Sequence, residues 1–151
     1  MTDPGSTFPS PPPGALGGTT DGQEARLTGI DHVQLAMPPD GEAHARDFYG
    51  SLLGLREVAK PEPLAQRGGC WFVGTGIHLH LGVARDFHPA QKAHTAFRVR
   101  DLAALRDRLT SSAVAVEDDE SLSGVRRFYA ADPFGNRIEF IDDADGGFTT
   151  R

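Results

Sequence analysis

Short stretches of alternating apolar and polar residues dominate this sequence, and they are interrupted by two stretches with helical spacing. From Ile30 to Met37 most alternate residues are apolar, which predicts a strand with one buried face. From Glu42 to Leu53 apolar residues recur every three or four positions, which predicts a helix that ends at Gly54. Further strands are predicted at 55–58, 70–73 and 77–83, the last two joined as a hairpin.

The same order of elements repeats in the second half of the chain. A strand is predicted at 94–99, and a helix runs from its N-cap Asp101 to Ser111. Three more strands are predicted at 114–117, 125–130 and 136–141. The pattern therefore predicts an α+β protein with two strand–helix–three-strand modules, 29–83 and 92–142.

The two ends of the chain have a different character. Residues 1–28 are rich in Pro, Gly, Ser and Thr, and such a segment cannot bury enough surface to offset its ordering entropy. We expect them to form a flexible tail, and residues 143–151 to form a C-terminal tail.

Composition and charge exclude several classes of protein. A length of 151 residues is enough for one domain with a hydrophobic core. The net charge of −6, with both signs mixed along the chain, argues against a dedicated nucleic-acid or anionic-membrane binder. The single cysteine, Cys70, excludes an internal disulfide and a thiolate zinc cluster. No stretch approaches the roughly 20 apolar residues that span a bilayer, so we expect a cytoplasmic protein.

Four polar residues stand at matching positions of the two modules. His32 and His94 open the first strand of each module, whereas His80 and Glu139 lie within the last strand. Each faces away from most of the large apolar residues of its strand, because successive side chains alternate between faces. Three imidazoles and one carboxylate suit a divalent first-row transition metal. The alternative is a hydrogen-bonded network without a metal, and His78, on the same face as His80, could replace it as a ligand.

Several stretches of the chain resemble one known superfamily. They are Asp31-His32-Val33, Phe48-Tyr49 with Leu53-Gly54-Leu55, His80-Leu81-Gly82, His94-Thr95-Ala96-Phe97 and the run from Asp132 to Phe140. Together they resemble the glyoxalase/bleomycin-resistance/dioxygenase superfamily, the vicinal oxygen chelate proteins, over about residues 29–142. The resemblance implies that the two βαβββ modules pair into a curved mixed sheet around a cavity. It also implies metal ligands on the first and last strands of each module, at His32, His80, His94 and Glu139.

The resemblance also implies a chemistry. We expect a metal-dependent lyase or isomerase of the glyoxalase type, acting on a small oxygenated metabolite or its thiol conjugate. One divalent ion (Zn, Ni, Fe, Mn or Co) would stabilise an oxyanion or enediolate, and Glu139 would move the proton. Glyoxalase I-like members often carry Glu where this chain has His80. The sequence leaves open another metalloenzyme of the superfamily, for thiol addition to an epoxide or ring cleavage, and a non-enzymatic drug- or metabolite-binding protein.

The expected partners are a small-molecule substrate and a second copy of the chain. The open sheets of such a fold leave edges and cavity walls that a second chain can cover, so we expect a homodimer. No nucleic-acid or membrane partner is expected.

Overall fold

The computed structural model describes residues 25–145, so the predicted tails at 1–28 and 143–151 fall largely outside the described residues. Residues 25–32 precede the first strand and form neither helix nor strand. Among residues 25–145, Leu27 and Ile30 in this segment are the large hydrophobic side chains most exposed to solvent. No helix among the described residues is long and apolar enough to cross a bilayer.

Module 1 forms a four-stranded sheet with its longer helix on one side. Its elements are β1 (Val33–Met37), α1 (Glu42–Ala45) continuing as a π-helix (Arg46–Leu52), β2 (Arg56–Val58), α2 (Glu62–Ala65), β3 (Cys70–Gly74) and β4 (Ile77–Val83). The strand order is β1-β4-β3-β2. Strand β1 runs parallel to β4, and the other neighbours are antiparallel.

Module 2 repeats this topology. Its elements are β5 (Thr95–Val99), α3 (Leu102–Ser111), β6 (Val116–Asp118), β7 (Arg127–Ala131), β8 (Arg137–Asp142) and a 3-10 turn (Asp143–Asp145). The order β5-β8-β7-β6 matches that of module 1, again with its first and last strands parallel. The predicted α+β fold and its duplication are therefore confirmed, with two separate sheets that do not close on each other.

Local structure differs from the predictions in two places. The helix predicted at 42–53 becomes a π-helix from Arg46 onward, and its last bonds include one from the Leu53 amide to the Phe48 carbonyl. This wider helix buries Phe48 and Tyr49 together, although they are adjacent in sequence. It ends as predicted at Gly54, whose positive φ of 76° suits glycine. The second difference is an extra helical turn, α2, between the strands predicted at 55–58 and 70–73.

A single hydrophobic core joins the two modules. It includes Met37 and Phe72 from module 1 and Leu109, Ile138 and Phe140 from module 2. On β1, β4 and β5 the apolar side chains are the more buried ones, as the alternation predicted, whereas β8 is buried on both faces.

A buried polar cluster fixes the two modules to each other. Tyr49 donates a hydrogen bond of 2.7 Å to the Asp132 carboxylate, and Asn136 donates one of 2.8 Å to the Ala36 carbonyl. The Asp132 carboxylate also accepts the amides of Phe134 and Asn136. These bonds close the turn between β7 and β8. Its bonds set the start of β8 and hence the position of Glu139.

Candidate functional site

The four predicted ligands lie in two pairs, one on each sheet. The rings of His32 and His80 stack in module 1, with centroids 4.1 Å apart and 23° between their planes. In module 2, His94 Nε2 lies 2.9 Å from Glu139 Oε2. Within residues 25–145, no three His, Cys, Asp or Glu side chains gather closely enough to hold a metal ion. The four-ligand centre therefore stays a prediction, and the single chain brings together its halves only.

The module 1 pair belongs to a stack of three rings across the sheet. Trp71 packs on the other side of His80, with centroids 4.0 Å apart and planes 4° from parallel. Strand register places these rings together, because Trp71 pairs with His80 across β3 and β4. His32 lies just before the edge strand β1, and its Nδ1 is 2.7 Å from Asp31 Oδ1. The stack covers both faces of His80 and so fixes the orientation of its imidazole between His32 and Trp71.

The electrostatics of this pair favour neutral His80. Burial, followed by the electrostatic influence of the neighbouring His32, holds the pKa of His80 below its ordinary value. The hydrogen bond with His32 is the largest cause of the lowered pKa of the Asp31 carboxyl. A neutral imidazole is the form that can bind a metal. His78 is exposed and has no ring stacking of this kind among the described contacts, which favours His80 as the partner of His32.

The module 2 pair is more buried and more strongly held. Glu139 is 4% exposed. His94 Nδ1 lies 2.8 Å from the Lys92 carbonyl oxygen, which turns Nε2 toward Glu139. The rings of His94 and Tyr129 pack edge to face, with their centroids 5.5 Å apart. A backbone carbonyl, a carboxylate and an aromatic ring thus fix the orientation of one imidazole.

Arg127 holds the other oxygen of Glu139. Its Nη1 donates 2.8 Å to Glu139 Oε1, and its Nη2 donates to Asp119 and Ser121 over 2.7 and 3.1 Å. Burial is the largest influence and opposes the charged guanidinium, but the bond to Glu139 together with the electrostatic contributions of Tyr129, Glu139 and Asp119 raises the pKa of Arg127. Glu139 is therefore a carboxylate with a compensating charge on one side and an imidazole on the other.

Neither Arg127 nor Trp71 is predicted as a site residue from the sequence. Each lies on the strand next to a predicted ligand, and strand alternation alone could place each on a known face. Their contacts depend on the register between strands, which no local pattern shows. Cys70 is a buried core residue, and burial raises the pKa of its thiol to about 11, which makes it a poor nucleophile at neutral pH.

The donor set fits a divalent metal as two half-sites. Both His32 and His94 have Nδ1 beside an oxygen acceptor, and this second contact is typical of metal-binding histidines because it orients the ring. Each module supplies two donors, whereas protein metal centres of this type use three or four. A complete centre therefore requires a module 1 pair to face a module 2 pair.

Comparison with known proteins gives the family. The sequence profile of the Glyoxalase/Bleomycin resistance protein/Dioxygenase superfamily matches residues 29–140. A glyoxalase family protein from Bacillus anthracis, of known crystal structure, is 46% identical, with a TM-score of 0.75 over 78% of this chain and 97% of that one. No protein of curated function matches the chain.

Two more distant structures share the fold. The fosfomycin resistance protein FosX from Listeria monocytogenes is 15% identical, with a TM-score of 0.63 over 78% of this chain and 94% of that one. A glyoxalase/dioxygenase from Nostoc punctiforme is 22% identical, with a TM-score of 0.63 over 78% and 96%. The profile match over most of the chain, together with the Bacillus protein, shows that this chain belongs to the Glyoxalase/Bleomycin resistance protein/Dioxygenase superfamily.

Proposed function

We propose that the protein is a metal-dependent lyase or isomerase of the glyoxalase type, acting on a small oxygenated metabolite or its thiol conjugate. The observation that carries this proposal is the pair formed by His94 and the buried Glu139, repeated in module 1 by His32 and His80 at equivalent positions. FosX, which shares the fold, has been crystallised with Mn(II) and sulfate. Its metal supports the proposal that this fold positions such donors for a divalent ion.

We propose further that a homodimer completes the site. Each chain offers one His–His pair and one His–Glu pair on separate sheets, and neither pair alone holds an ion. A two-fold axis can place module 1 of one chain opposite module 2 of its partner, which makes two equivalent four-donor sites. The dimer would also cover the site faces of both open sheets.

In that site His32, His80, His94 and Glu139 would hold one divalent ion, which supplies electrophilic stabilisation of a developing oxyanion or enediolate. Glu139 accepts the proton from the substrate carbon, and the same carboxyl returns it to the neighbouring carbon in an isomerisation. Arg127 holds Oε1, so Oε2, which faces His94, would be both the ligand atom and, once released from the ion, the oxygen that takes the proton. Trp71, which stacks on His80, would hold the orientation of that ligand ring.

A second candidate is a non-enzymatic binding protein, because the three-ring stack of module 1 ends at the exposed His32 ring, on which a planar ligand can stack. Metal content separates the two functions. Protein prepared without a histidine tag should contain about one divalent ion per chain. If the protein takes up none of the candidate ions and still binds planar ligands, the result would support the function of a non-enzymatic binding protein.

Turnover tests the reaction class. The probe is the thiohemiacetal that forms from an α-ketoaldehyde and a small thiol. Glu139→Gln should lose turnover by about 10²–10⁴-fold and remain folded, since general acid–base catalysis is of that size and the amide is nearly isosteric. His78→Ala is the matched control, on the face of His80 but outside the pair. If Glu139→Gln keeps metal and turnover while His78→Ala loses both, the ligand assignment is wrong.

A further inference from the structure

Two arginines flank Tyr129 on the face of the module 2 sheet that carries Glu139. The guanidinium carbon of Arg127 lies 5.6 Å from the centre of the Tyr129 ring, and that of Arg137 lies 3.8 Å from it. Arg137 precedes Glu139 by two residues on β8, and alternation places both side chains on one face. Tyr129 is the residue paired with Glu139 across β7 and β8. Both arginines are therefore neighbours of the proposed catalytic carboxylate.

The two arginines differ in their partners. The guanidinium of Arg127 donates hydrogen bonds to Glu139, Asp119 and Ser121. Arg137 makes no hydrogen bond or ion pair within the described part of the chain; its contact is the stack on Tyr129. A guanidinium has five N–H donors in a planar fork. The stack covers one flat side of this fork and leaves the donors along its edge open.

A cavity of about 280 Å³ adjoins this guanidinium. Arg137, Tyr129, Gln91 and Gly135 line it, and Glu117 contributes a carboxylate that forms no ion pair with Arg137 among the residues described. Its volume lies near the lower end of the range for small-molecule sites. The half-buried position of Arg137 reduces solvent screening of its charge. The cavity thus combines space for a small ligand with the Arg137 guanidinium, and with the Glu117 carboxylate elsewhere in its lining.

We propose that Arg137 binds the acidic group of the substrate and so positions its reacting carbon beside Glu139. The group is a planar or tetrahedral oxyanion, a carboxylate, phosphonate or phosphate, because the guanidinium fork donates two parallel bonds to such groups. The inference rests on the proposed function and narrows its substrate class to small acids. Arg127 cannot serve as this anchor without releasing Glu139.

The test uses full-length protein freed of metal with a chelator, so that a bound ion cannot contribute to anion binding. Benzoate, phenylphosphonate and neutral benzamide are titrated while the backbone amides of residues 127–141 are followed by NMR. Wild-type protein should bind at least one of the two acids, should bind benzamide far more weakly, and should shift amides around Tyr129 and Arg137. The tighter acid identifies the oxyanion geometry that the site prefers.

Three variants make the test specific. Arg137→Gln should weaken acid binding by about tenfold to a hundredfold, the size of a lost charge-assisted contact. Arg137→Lys keeps the positive charge but lacks the planar guanidinium. Its affinity for the acids should lie between that of wild-type protein and that of Arg137→Gln. Arg56→Gln removes the same charge from an exposed position on β2 and should bind as wild type.

Three outcomes would overturn the inference: no acid binding by wild type, equal affinity in Arg137→Gln, or an equal loss in Arg56→Gln. Measuring the metal content of the protein distinguishes a failure of this inference from a failure of the proposed function. A chain that holds metal but binds acids independently of Arg137 refutes the anchor alone. A chain that binds acids through Arg137 but takes up no metal refutes the proposed reaction and keeps the anchor.

Discussion

Replacing Arg127 by Met tests whether the buried ion pair holds Glu139 in place. The side chains of Arg127 and Glu139 are 11% and 5% exposed, so the pair is largely removed from water. Methionine is similar in length but leaves Oε1 of a buried carboxylate without its donor. Breaking one side of a buried pair costs about 3–5 kcal/mol. We expect the lower end, about 3 kcal/mol, because His94 still contacts Oε2 and Asp119, at 24% exposure, can regain water.

Glu139→Gln should cost less than Arg127→Met, although it removes the other half of the same pair. Arg127 keeps its bonds to Asp119 and Ser121, and the amide oxygen of Gln can still accept from Nη1. The loss is then about 1–2 kcal/mol, the difference between a charged and a neutral hydrogen bond. Unfolding in urea, followed by circular dichroism, measures both free energies of unfolding.

The control applies the same substitution to an exposed pair. Arg106 contacts Asp118 over 2.7 Å, with side chains 41% and 55% exposed, so Arg106→Met should cost less than about 1 kcal/mol. The reasoning is refuted if Arg127→Met costs no more than Arg106→Met, or if Glu139→Gln is the more damaging change.

Three other outcomes are expected. Tyr49→Phe removes the 2.7 Å hydrogen bond to Asp132 between the modules. Because the Asp132 carboxylate keeps other donors, the free energy of unfolding in urea should fall by about 1–2 kcal/mol. An unchanged midpoint would show that the bond contributes nothing. The pKa of His80 is lowered in the folded state, so the unfolded chain binds the proton more tightly. The free energy of unfolding should therefore fall as the pH drops below about 6.5. His80→Asn should make the free energy of unfolding depend less on pH in this range. Sedimentation at micromolar concentration should show a dimer, and a monomer there would contradict the composite site.

The sequence predicted those parts of the fold that depend on local pattern. The alternation in β1 and β5 gave both the strands and their buried faces, because side-chain direction in a strand follows from a period of two. The N-cap of α3 was predicted in the same way, since the Asp101 carboxylate bonds the Ala104 amide three residues on.

Such local patterns do not predict tertiary contacts. The contacts of Trp71 and Arg127 depend on which residues face each other across neighbouring strands, which local spacing does not encode. The π-helix follows from burying Phe48 and Tyr49 side by side. The separation of the ligands into two pairs depends on how the modules dock within one chain, and the repeat in the sequence is compatible with either arrangement.

The most direct test of the composite metal site is the metal content of a mixed dimer. His80→Ala damages the module 1 pair, and His94→Ala damages the module 2 pair, so each variant alone should bind little metal. When the two are unfolded together and refolded, a dimer of one chain of each kind has one site with both changes and one site with neither. The account therefore predicts that mixing restores metal binding at about one site per mixed dimer. If the mixed dimers form and hold no more metal than the separate variants, the site is not built from two chains.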